Sequence, residues 1–430
     1  MTAQWWSNFI EATDNMQEPF VFPNAMEEHT ANLDTLLLEV LSTLFSEDQS
    51  NGNVRIWCNG AYDQEELYHS SLAEQNLTQW FQRVFKKEKF GIFINGCNHL
   101  SSSINERLAT MMLPLLRNKG VPMDGLNVTL LIGNYGYTPF GVHIDQGPNE
   151  KTERNVFHFH LGPGEKTIYT WEPELYCKLA GGDPHYRERE PERILKYAKK
   201  FTFNRGDVFF LPWSKYHVGY TEEISIGLTV IYPNDTNVAM VKKVLKRIED
   251  EMLQEEYTEI LSPLSDEGSL LEMGVDRQIK KAVNLPGGSL SAVFYEHYED
   301  YKLEILSSMG FGADRSVESC LSEEMNTETL PMYGVVTGIS PFTIYYKIST
   351  QSSERYIDIF ARGQKFTMPY HRTVVEVIDK LNTWSPFSME ELIALLQSSF
   401  QVSEVSGLLM FLSKVRAIKI DQQVQQTLSI

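Results

Sequence analysis

The sequence predicts an α+β protein whose first half forms a β-barrel of the double-stranded β-helix (jelly-roll) type. Three observations support this prediction. Short apolar runs separated by turn residues recur over residues 1–235, helical periodicity replaces them over residues 236–332, and strands and short helices follow over residues 333–430. A chain of 430 residues also exceeds the size of one compact core. We therefore predict a barrel domain (1–235), a helical middle region (236–332) and a C-terminal domain (333–430).

The barrel strands are predicted from runs of apolar and β-branched residues, each bounded by turn residues. They are Val54–Cys58, Gly91–Asn95, Leu126–Gly133, Val156–Leu161, Thr167–Trp171, Lys200–Phe203, Val208–Leu211 and Ile224–Tyr232. Helical insertions are predicted at Leu77–Phe85, Ser102–Leu116 and Arg187–Lys199. The number of strands suits a jelly roll.

The remaining elements follow from periodicity and capping. In the middle region, helices are predicted at Val238–Gln254 and Ser289–Ser308, with a break at residues 262–268. The C-terminal unit should contain strands at Phe342–Ser349, Arg355–Phe360 and Ala417–Ile420 and helices at Arg372–Asn382, Met389–Ser399 and Val402–Val415. Ser388 and Glu391 have capping-box spacing. This order of elements is typical of a winged-helix domain. DNA binding is disfavoured because the helix Val402–Val415 has only Lys414 as a basic residue.

Three residues are candidate metal ligands and catalytic residues: His143, Asp145 and His217. His143 and Asp145 are two positions apart, so on a strand they would point to the same side. His217 follows the apolar run Val208–Leu211, at a loop that would bring it to the barrel mouth. Two imidazoles and one carboxylate on one face of an ion leave the opposite face open, as in non-heme Fe(II) oxygenases.

His158 and His160 form a rival metal motif, because they would share one face of a strand. If Phe157 faces the pocket, both histidines point away from the candidate metal. The simpler alternative is that they are hydrogen-bonded histidines without a metal.

At these motifs the chain resembles the JmjC-type, cupin-fold 2-oxoglutarate oxygenases, in particular the protein and peptide hydroxylases. Thr138 precedes the His-x-Asp pair, where this family often has a threonine. Asn155 and Phe157 match pocket residues of the asparaginyl hydroxylase type, and Lys166 matches the lysine that binds the far carboxylate of 2-oxoglutarate. The segment between Asp145 and Asn155 is longer and more polar than in the family and suggests a loop at the rim of the site.

The resemblance implies Fe(II) as cofactor and 2-oxoglutarate as co-substrate, with Lys166 and Thr138 at its distal carboxylate and Asn155 nearby. It also implies hydroxylation of an amino-acid side chain in a ribosomal protein or a natural-product precursor peptide. The middle region resembles the dimerisation segment of the bacterial ribosomal oxygenases, so a homodimer is one expectation and a helical support for the barrel is the other. The C-terminal domain would then bind a protein or a leader peptide.

Two other functions remain open: a non-catalytic cupin-like interaction protein, and a metal cupin enzyme that uses His158 and His160 without 2-oxoglutarate. The formal charge of −19 argues against nucleic acid and is compatible with a basic protein or peptide partner. Four scattered cysteines indicate neither a disulfide framework nor a zinc site. The first residues lack the features of a secretion signal, and no apolar segment is long enough to span a membrane, so a cytoplasmic protein is expected.

Overall fold

The computed structural model describes residues 1–26, 37–38, 40–41, 54–62, 77–86, 88–145, 153–252, 290–312, 333–351 and 354–421. Its helices are α1 (Ala3–Ala12), α2 (Leu77–Phe85), α3 (Ser102–Lys119), α4 (Pro173–Leu179), α5 (Asn237–Met252), α6 (Leu290–Ser307), α7 (Arg372–Leu381), α8 (Met389–Gln397) and α9 (Val402–Lys414).

Eighteen strands are described. They are β1 (Phe20–Phe22), β2 (Val54–Cys58), β3 (Ala61–Tyr62), β4 (Phe90–Asn95), β5 (Asn127–Gly133), β6 (Gly136–Tyr137), β7 (Glu153–Pro163), β8 (Lys166–Trp171), β9 (Lys199–Phe203), β10 (Val208–Leu211), β11 (Tyr216–Thr221), β12 (Ser225–Asn234), β13 (Val335–Gly338), β14 (Tyr345–Gln351), β15 (Glu354–Ala361), β16 (Gln364–Pro369), β17 (Phe387–Ser388) and β18 (Ile418–Asp421).

Two antiparallel sheets make up the first half of the chain. The larger sheet has the strand order β1-β10-β7-β12-β5-β4-β2-β3, and the smaller one has the order β6-β11-β8-β9. Side chains from β5, β7 and β12 of the larger sheet and from β8 and β11 of the smaller sheet line a common cavity. The two sheets therefore enclose the cavity between them.

Strand β7 shows how the larger sheet divides helix contacts from cavity contacts. Phe157 and Phe159 belong to an apolar cluster that also contains Phe9 of α1. The ring of Phe157 lies 5.3 Å from that of Phe9, centroid to centroid. His158 has the opposite parity on β7 and lines the cavity. Because successive side chains of a strand alternate, one face of β7 packs under the helices and the other faces the cavity.

The C-terminal residues build a separate apolar cluster from α7, α8, α9 and the strands around them. These strands form two three-stranded sheets, β17-β13-β18 and β14-β15-β16. Ser388 caps α8, since its hydroxyl accepts a hydrogen bond from the amide of Glu391 at 3.3 Å. The N-cap predicted at Ser388 is confirmed, although the carboxylate that its hydroxyl reaches is that of Glu390, at 2.6 Å.

The predicted strands all correspond to observed ones, but strands β3, β6, β13, β16 and β17 were not predicted, and other features also differ from the prediction. Residues 187–199 do not form one helix: two 3-10 turns, Pro191–Arg193 and Leu195–Tyr197, lie there. Pro191 explains this, because proline disfavours helical geometry in the preceding residue, and Glu190 has ψ of 69°. Helix α4 and strand β11 were not predicted. His217 belongs to β11 and not to a loop after β10.

Some sequence-based expectations fall partly or wholly outside the described residues. The loop residues 146–152, the break at 262–268 and Cys320 are among them. The other three cysteines carry no disulfide. Within the part of the chain that the structure describes, no helix combines the length and the apolar character needed to cross a bilayer.

Candidate metal centre

His143 and His217 are held side by side by their backbones. The amide of His143 donates to the carbonyl of His217 at 3.0 Å, and the amide of His217 donates to the carbonyl of His143 at 2.8 Å. This pairing is an isolated bridge, because His143 lies outside any named strand while His217 lies in β11. The bridge places the two imidazole centroids 4.4 Å apart. A residue pair 74 positions apart in sequence is thus brought to one site.

The Nδ1 atoms of both histidines face backbone carbonyls. His143 Nδ1 lies 2.9 Å from the carbonyl oxygen of Gly141, and His217 Nδ1 lies 3.4 Å from that of Lys215. A carbonyl can only accept, so we assign the imidazole proton to Nδ1 in each ring. The Nε2 lone pairs are then free to bind a metal, and the carbonyls orient the rings as outer ligands do in metal sites.

Asp145 completes the ligand set. One carboxylate oxygen lies 3.7 Å from His143 Nε2, and the other lies 3.7 Å from His217 Nε2. The three ligand atoms all lie within 4.8 Å of one another. Such separations suit atoms that share one ion at ordinary nitrogen and oxygen bond lengths of about 2 Å. His143, Asp145 and His217 are therefore a metal-binding triad.

Burial keeps His217 in the form that binds metal. Desolvation lowers the pKa of His217 to about 4, and the neighbouring His143 adds to this effect. An imidazole must be neutral to act as a ligand. The chemistry of the donor set, two neutral imidazoles and a carboxylate, fits a ferrous ion with open positions opposite the protein ligands.

The triad opens into the cavity between the two sheets, which has a volume of about 370 Å³. Its walls are largely apolar, with Val156, Ile168 and Leu211 among the lining residues. The ionisable lining residues other than histidine are Arg55, Asp145, Arg154, Lys166 and Arg187. Ligand pockets commonly enclose ~300–1,000 Å³, so the cavity has room for a small molecule and a substrate side chain.

Lys166 and Thr138 line the same cavity as the triad. Lys166 is buried, and its ammonium donates a hydrogen bond to the hydroxyl of Tyr135 at 2.7 Å. No carboxylate of the described residues forms an ion pair with it. Burial lowers the pKa of Lys166 to about 7. A buried cation without a counter-charge is costly unless an anionic ligand pairs with it.

The structure does not bring Asn155 to the cavity. Asn155 shares the parity of Phe157 on β7, and its side-chain oxygen accepts a hydrogen bond from the amide of Trp213 at 3.3 Å. The orientation of β7 is thus the reverse of the one considered from the sequence, in which Phe157 would face the pocket. The alternation of Phe157, His158 and Phe159 shows which side chains share a face, but both faces of β7 are buried, so the sequence does not show which face lines the cavity.

His158 lines the cavity, and its neighbour His160 lies 5.8 Å away, ring centroid to ring centroid. His160 Nε2 contacts the carbonyl oxygen of Gly164 at 2.8 Å. His158 Nε2 has no hydrogen-bond partner among the described residues. Desolvation, with added repulsion from Lys166, lowers the pKa of His158 well below its usual value. Within the described ranges only the triad, and not this pair, forms a cluster of three potential ligands.

Three arginines line the cavity, and they come from three separate places: β2, the start of β7 and the segment after α4. Arg154 ends the polar segment that the sequence predicted at the rim of the site. Arg55 and Arg187 were not identified from the sequence, because only the folded chain brings them to the cavity.

No protein-family model matches the chain, and no curated protein matches it. The solved structures similar to it include YcfD, a ribosomal oxygenase from Escherichia coli, at 16% identity over 97% of this chain and 98% of that one, with a TM-score of 0.47. YcfD in complex with cobalt and 2-oxoglutarate is similar at 15% identity over the same shares, with a TM-score of 0.46. The carbocyclase SnoK from nogalamycin biosynthesis, non-heme and alpha-ketoglutarate-dependent, is similar at 13% identity over 54% of this chain and 86% of that one, with a TM-score of 0.35.

The similarity is distant in both identity and TM-score, so we infer the function of this chain from its own metal-binding triad and cavity.

Proposed function

We propose that this protein is an Fe(II)- and 2-oxoglutarate-dependent oxygenase that hydroxylates an amino-acid side chain of a protein or peptide. The observation that carries the proposal is the convergence of His143, Asp145 and His217, whose ligand atoms lie within 4.8 Å of one another. They lie at a cavity with one buried lysine that forms no ion pair with any described residue. A ferrous ion bound to such a triad supplies oxygen activation coupled to the oxidative decarboxylation of 2-oxoglutarate.

The residues around the triad would bind and orient the co-substrate. Lys166 is the one buried ammonium among the cavity-lining residues, and a distal carboxylate would supply the counter-charge that it lacks. Thr138 lies beside it, with its amide bonded to the carbonyl of Gly219 at 2.8 Å. Asn155, which the family resemblance also implies, does not enter this proposal because it faces away from the cavity.

The apolar walls would exclude water from the reacting centre and position the substrate carbon. Val156 and Leu211 are buried in the larger sheet, and Ile168 is buried in the smaller one. The chain's own contribution to the chemistry is therefore a fixed ligand geometry, one cation for the co-substrate and a dry cavity.

The finer architecture belongs to the same proposal. The strand order within the two sheets of the first half supports a double-stranded β-helix. The sheets and helices of the C-terminal unit support a winged-helix-like module that would bind protein or peptide. We retain the domain boundaries 1–235, 236–332 and 333–430, a homodimer formed through the middle region and a cytoplasmic location as parts of the proposal.

The test is metal binding and 2-oxoglutarate turnover by the purified protein. We expect one Fe(II) per chain and formation of succinate from 2-oxoglutarate. His143→Ala and Asp145→Ala should each lose both, because each removes one of three ligands. His185→Ala, which alters an exposed histidine outside the cavity lining, is the matched control and should keep both.

Two results would contradict the proposal. If His158→Ala removed the metal while His143→Ala retained it, the metal would be held by the rival histidine pair. If the wild-type protein bound neither metal nor 2-oxoglutarate, the chain would be a non-catalytic member of this fold.

A further inference from the structure

The cavity has a charge opposite in sign to that of the whole chain. The chain carries a formal charge of −19. Its cavity is nevertheless lined by four cationic side chains, Arg55, Arg154, Lys166 and Arg187, and by a single carboxylate, that of Asp145. Asp145 is itself committed to the metal-binding triad. A divalent metal would make the cavity more positive still.

None of the three arginines forms a salt bridge with a described residue, although the carboxylate of Asp235 interacts electrostatically with Arg154. Arg55, Arg154 and Arg187 form no ion pair with any described residue, although acidic residues outnumber basic ones by 57 to 38 in the sequence. Other arginines of this chain do find carboxylates: Arg193 reaches Glu188 at 3.1 Å, and Arg372 reaches Glu376 at 3.0 Å. Three arginines at one cavity, each without a salt bridge to a described residue, are therefore unusual in so acidic a chain.

The fold holds these arginines around the mouth of the cavity. Arg55 lies on β2 opposite Phe93 of β4. Arg154 lies near the start of β7. Arg187 precedes Glu188, whose carbonyl accepts a hydrogen bond at 2.8 Å from the amide of Val142, the residue before the ligand His143. Arg55 and Arg187 are exposed and Arg154 is half-buried, whereas Lys166 is buried.

This arrangement separates two anion-binding tasks. Under the proposed function, on which this inference rests, the metal and Lys166 take the two ends of 2-oxoglutarate. The arginines at the mouth then remain for the second substrate. Guanidinium groups bind carboxylates through paired hydrogen bonds, and a mouth of one charge sign attracts ligands of the opposite sign.

We propose that the substrate is an acidic segment of a peptide or protein, whose carboxylates contact Arg55, Arg154 and Arg187 while the reacting side chain enters the cavity. A cavity of about 370 Å³ does not admit a folded domain, so only a side chain enters and the flanking residues lie at the mouth. Three arginines from three separate segments suit several carboxylates along an extended chain.

The test compares three sets of peptides identical except for charge: glutamate and aspartate, their amides glutamine and asparagine, and lysine. Binding to the metal-loaded full-length protein is measured by fluorescence anisotropy in the presence of 2-oxoglutarate, at low and high salt. We expect acidic peptides to bind about tenfold more tightly than their amide counterparts at low salt, with the difference shrinking as salt rises.

Variants connect this preference to the arginines. The triple variant Arg55→Gln, Arg154→Gln and Arg187→Gln should lose the preference for acidic peptides and keep metal and 2-oxoglutarate binding. Arg205→Gln removes the same type of charge from an exposed turn between β9 and β10, outside the cavity lining, and should keep the preference.

Equal binding of all three peptide sets or a preference for lysine peptides would overturn the inference. Loss of 2-oxoglutarate binding in the triple variant would also overturn it, by assigning the arginines to the co-substrate. Since metal and 2-oxoglutarate binding are measured separately in the wild-type protein, failure of the oxygenase proposal is distinguishable from failure of this one.

Discussion

The imidazole of His158 occupies the space beside Gly227 in which a β-carbon would lie. A β-carbon built on Gly227 would be 2.0 Å from Cε1 of His158. Gly227 belongs to β12, the strand that pairs with β7, and the register of the two strands shifts between Ile226 and Gly227. Because residue 227 is a glycine, the His158 ring can occupy this space in the wall of the cavity.

Gly227→Ala should displace His158 and lower the free energy of unfolding by about 2 kcal/mol, the cost typical of overpacking a filled interior. His158 is only 4% exposed, so its ring cannot move out into solvent without disturbing other side chains. Urea unfolding of the variant measures this change.

The double variant Gly227→Ala, His158→Ala is the control for that prediction. With the ring removed, the added methyl group no longer has a partner to displace, so the two substitutions should cost less together than the sum of their separate effects. Additive effects would show that glycine is not needed at position 227 to make room for the His158 ring.

Lys166→Met should stabilise the protein and abolish 2-oxoglutarate binding. Burial lowers the pKa of Lys166 from its ordinary value of 10.5 to about 7. Between these two pH values the folded protein therefore binds fewer protons than the unfolded protein, so its stability rises with pH. The destabilisation caused by burying the ammonium is fully present below pH 7 and is lost as the pH approaches 10.5. Removing the buried amine should raise the free energy of unfolding at pH 7 by about 2 kcal/mol.

Thermal unfolding without ligand and calorimetric titration with 2-oxoglutarate measure the two effects. Lys200→Met, on strand β9 beside β8, alters an exposed lysine and should change neither quantity by much. A less stable Lys166→Met protein would mean that the ammonium is stabilised by the fold and not held ready for a ligand.

Binding of 2-oxoglutarate should take up a proton above pH 7. The free protein loses the Lys166 proton near pH 7, whereas a carboxylate beside the ammonium would raise this pKa in the complex. The dissociation constant should therefore be flat below pH 7 and rise about tenfold per pH unit above it. Calorimetry in buffers of different ionisation enthalpy counts the protons directly, and binding that is independent of pH between 7 and 9 would contradict the prediction.

Asp300→Asn should loosen the contact between α6 and the sheet β14-β15-β16. Asp300 is buried and pairs with Lys347, and with Lys365 at 2.7 Å. Burial alone would raise its pKa, but hydrogen bonds from the two lysines lower it below its ordinary value. The substitution leaves both lysines without that counter-charge and should cost about 3 kcal/mol.

Because the pKa of Asp300 is lowered, the stabilisation that its carboxylate provides depends on pH. A lowered carboxyl pKa stabilises the fold above pH 4 and loses its effect as pH falls through the folded value, so the difference between wild type and variant should vanish in acid. Asp250→Asn, in an exposed pair with Lys246 on α5, is the matched control and should cost less than about 0.5 kcal/mol. Equal costs for the two variants in urea unfolding would contradict the prediction.

Local pattern was sufficient to predict most of the elements. The strands at β2, β4 and β10 and the helices α7 and α9 begin and end within a few residues of the predicted bounds, because turn residues and helix caps act over short distances. Strand β11 was missed because His217 and Gly219 interrupt its apolar residues. That residue pairs with Ile168 across the smaller sheet, where a β-carbon would lie 3.1 Å from Thr138.

By itself the sequence determined that His143, Asp145 and His217 are residue types that can bind a metal, and the family resemblance implied Lys166 for the dicarboxylate. Only the tertiary structure decided that β7 turns His158 and not Phe157 toward the cavity, and that three distant arginines surround its mouth. The physical reason is that the alternation along β7 shows which side chains share a face, but not which of its two buried faces lines the cavity. Charges from separate segments, likewise, acquire a common role only when the sheets enclose one space.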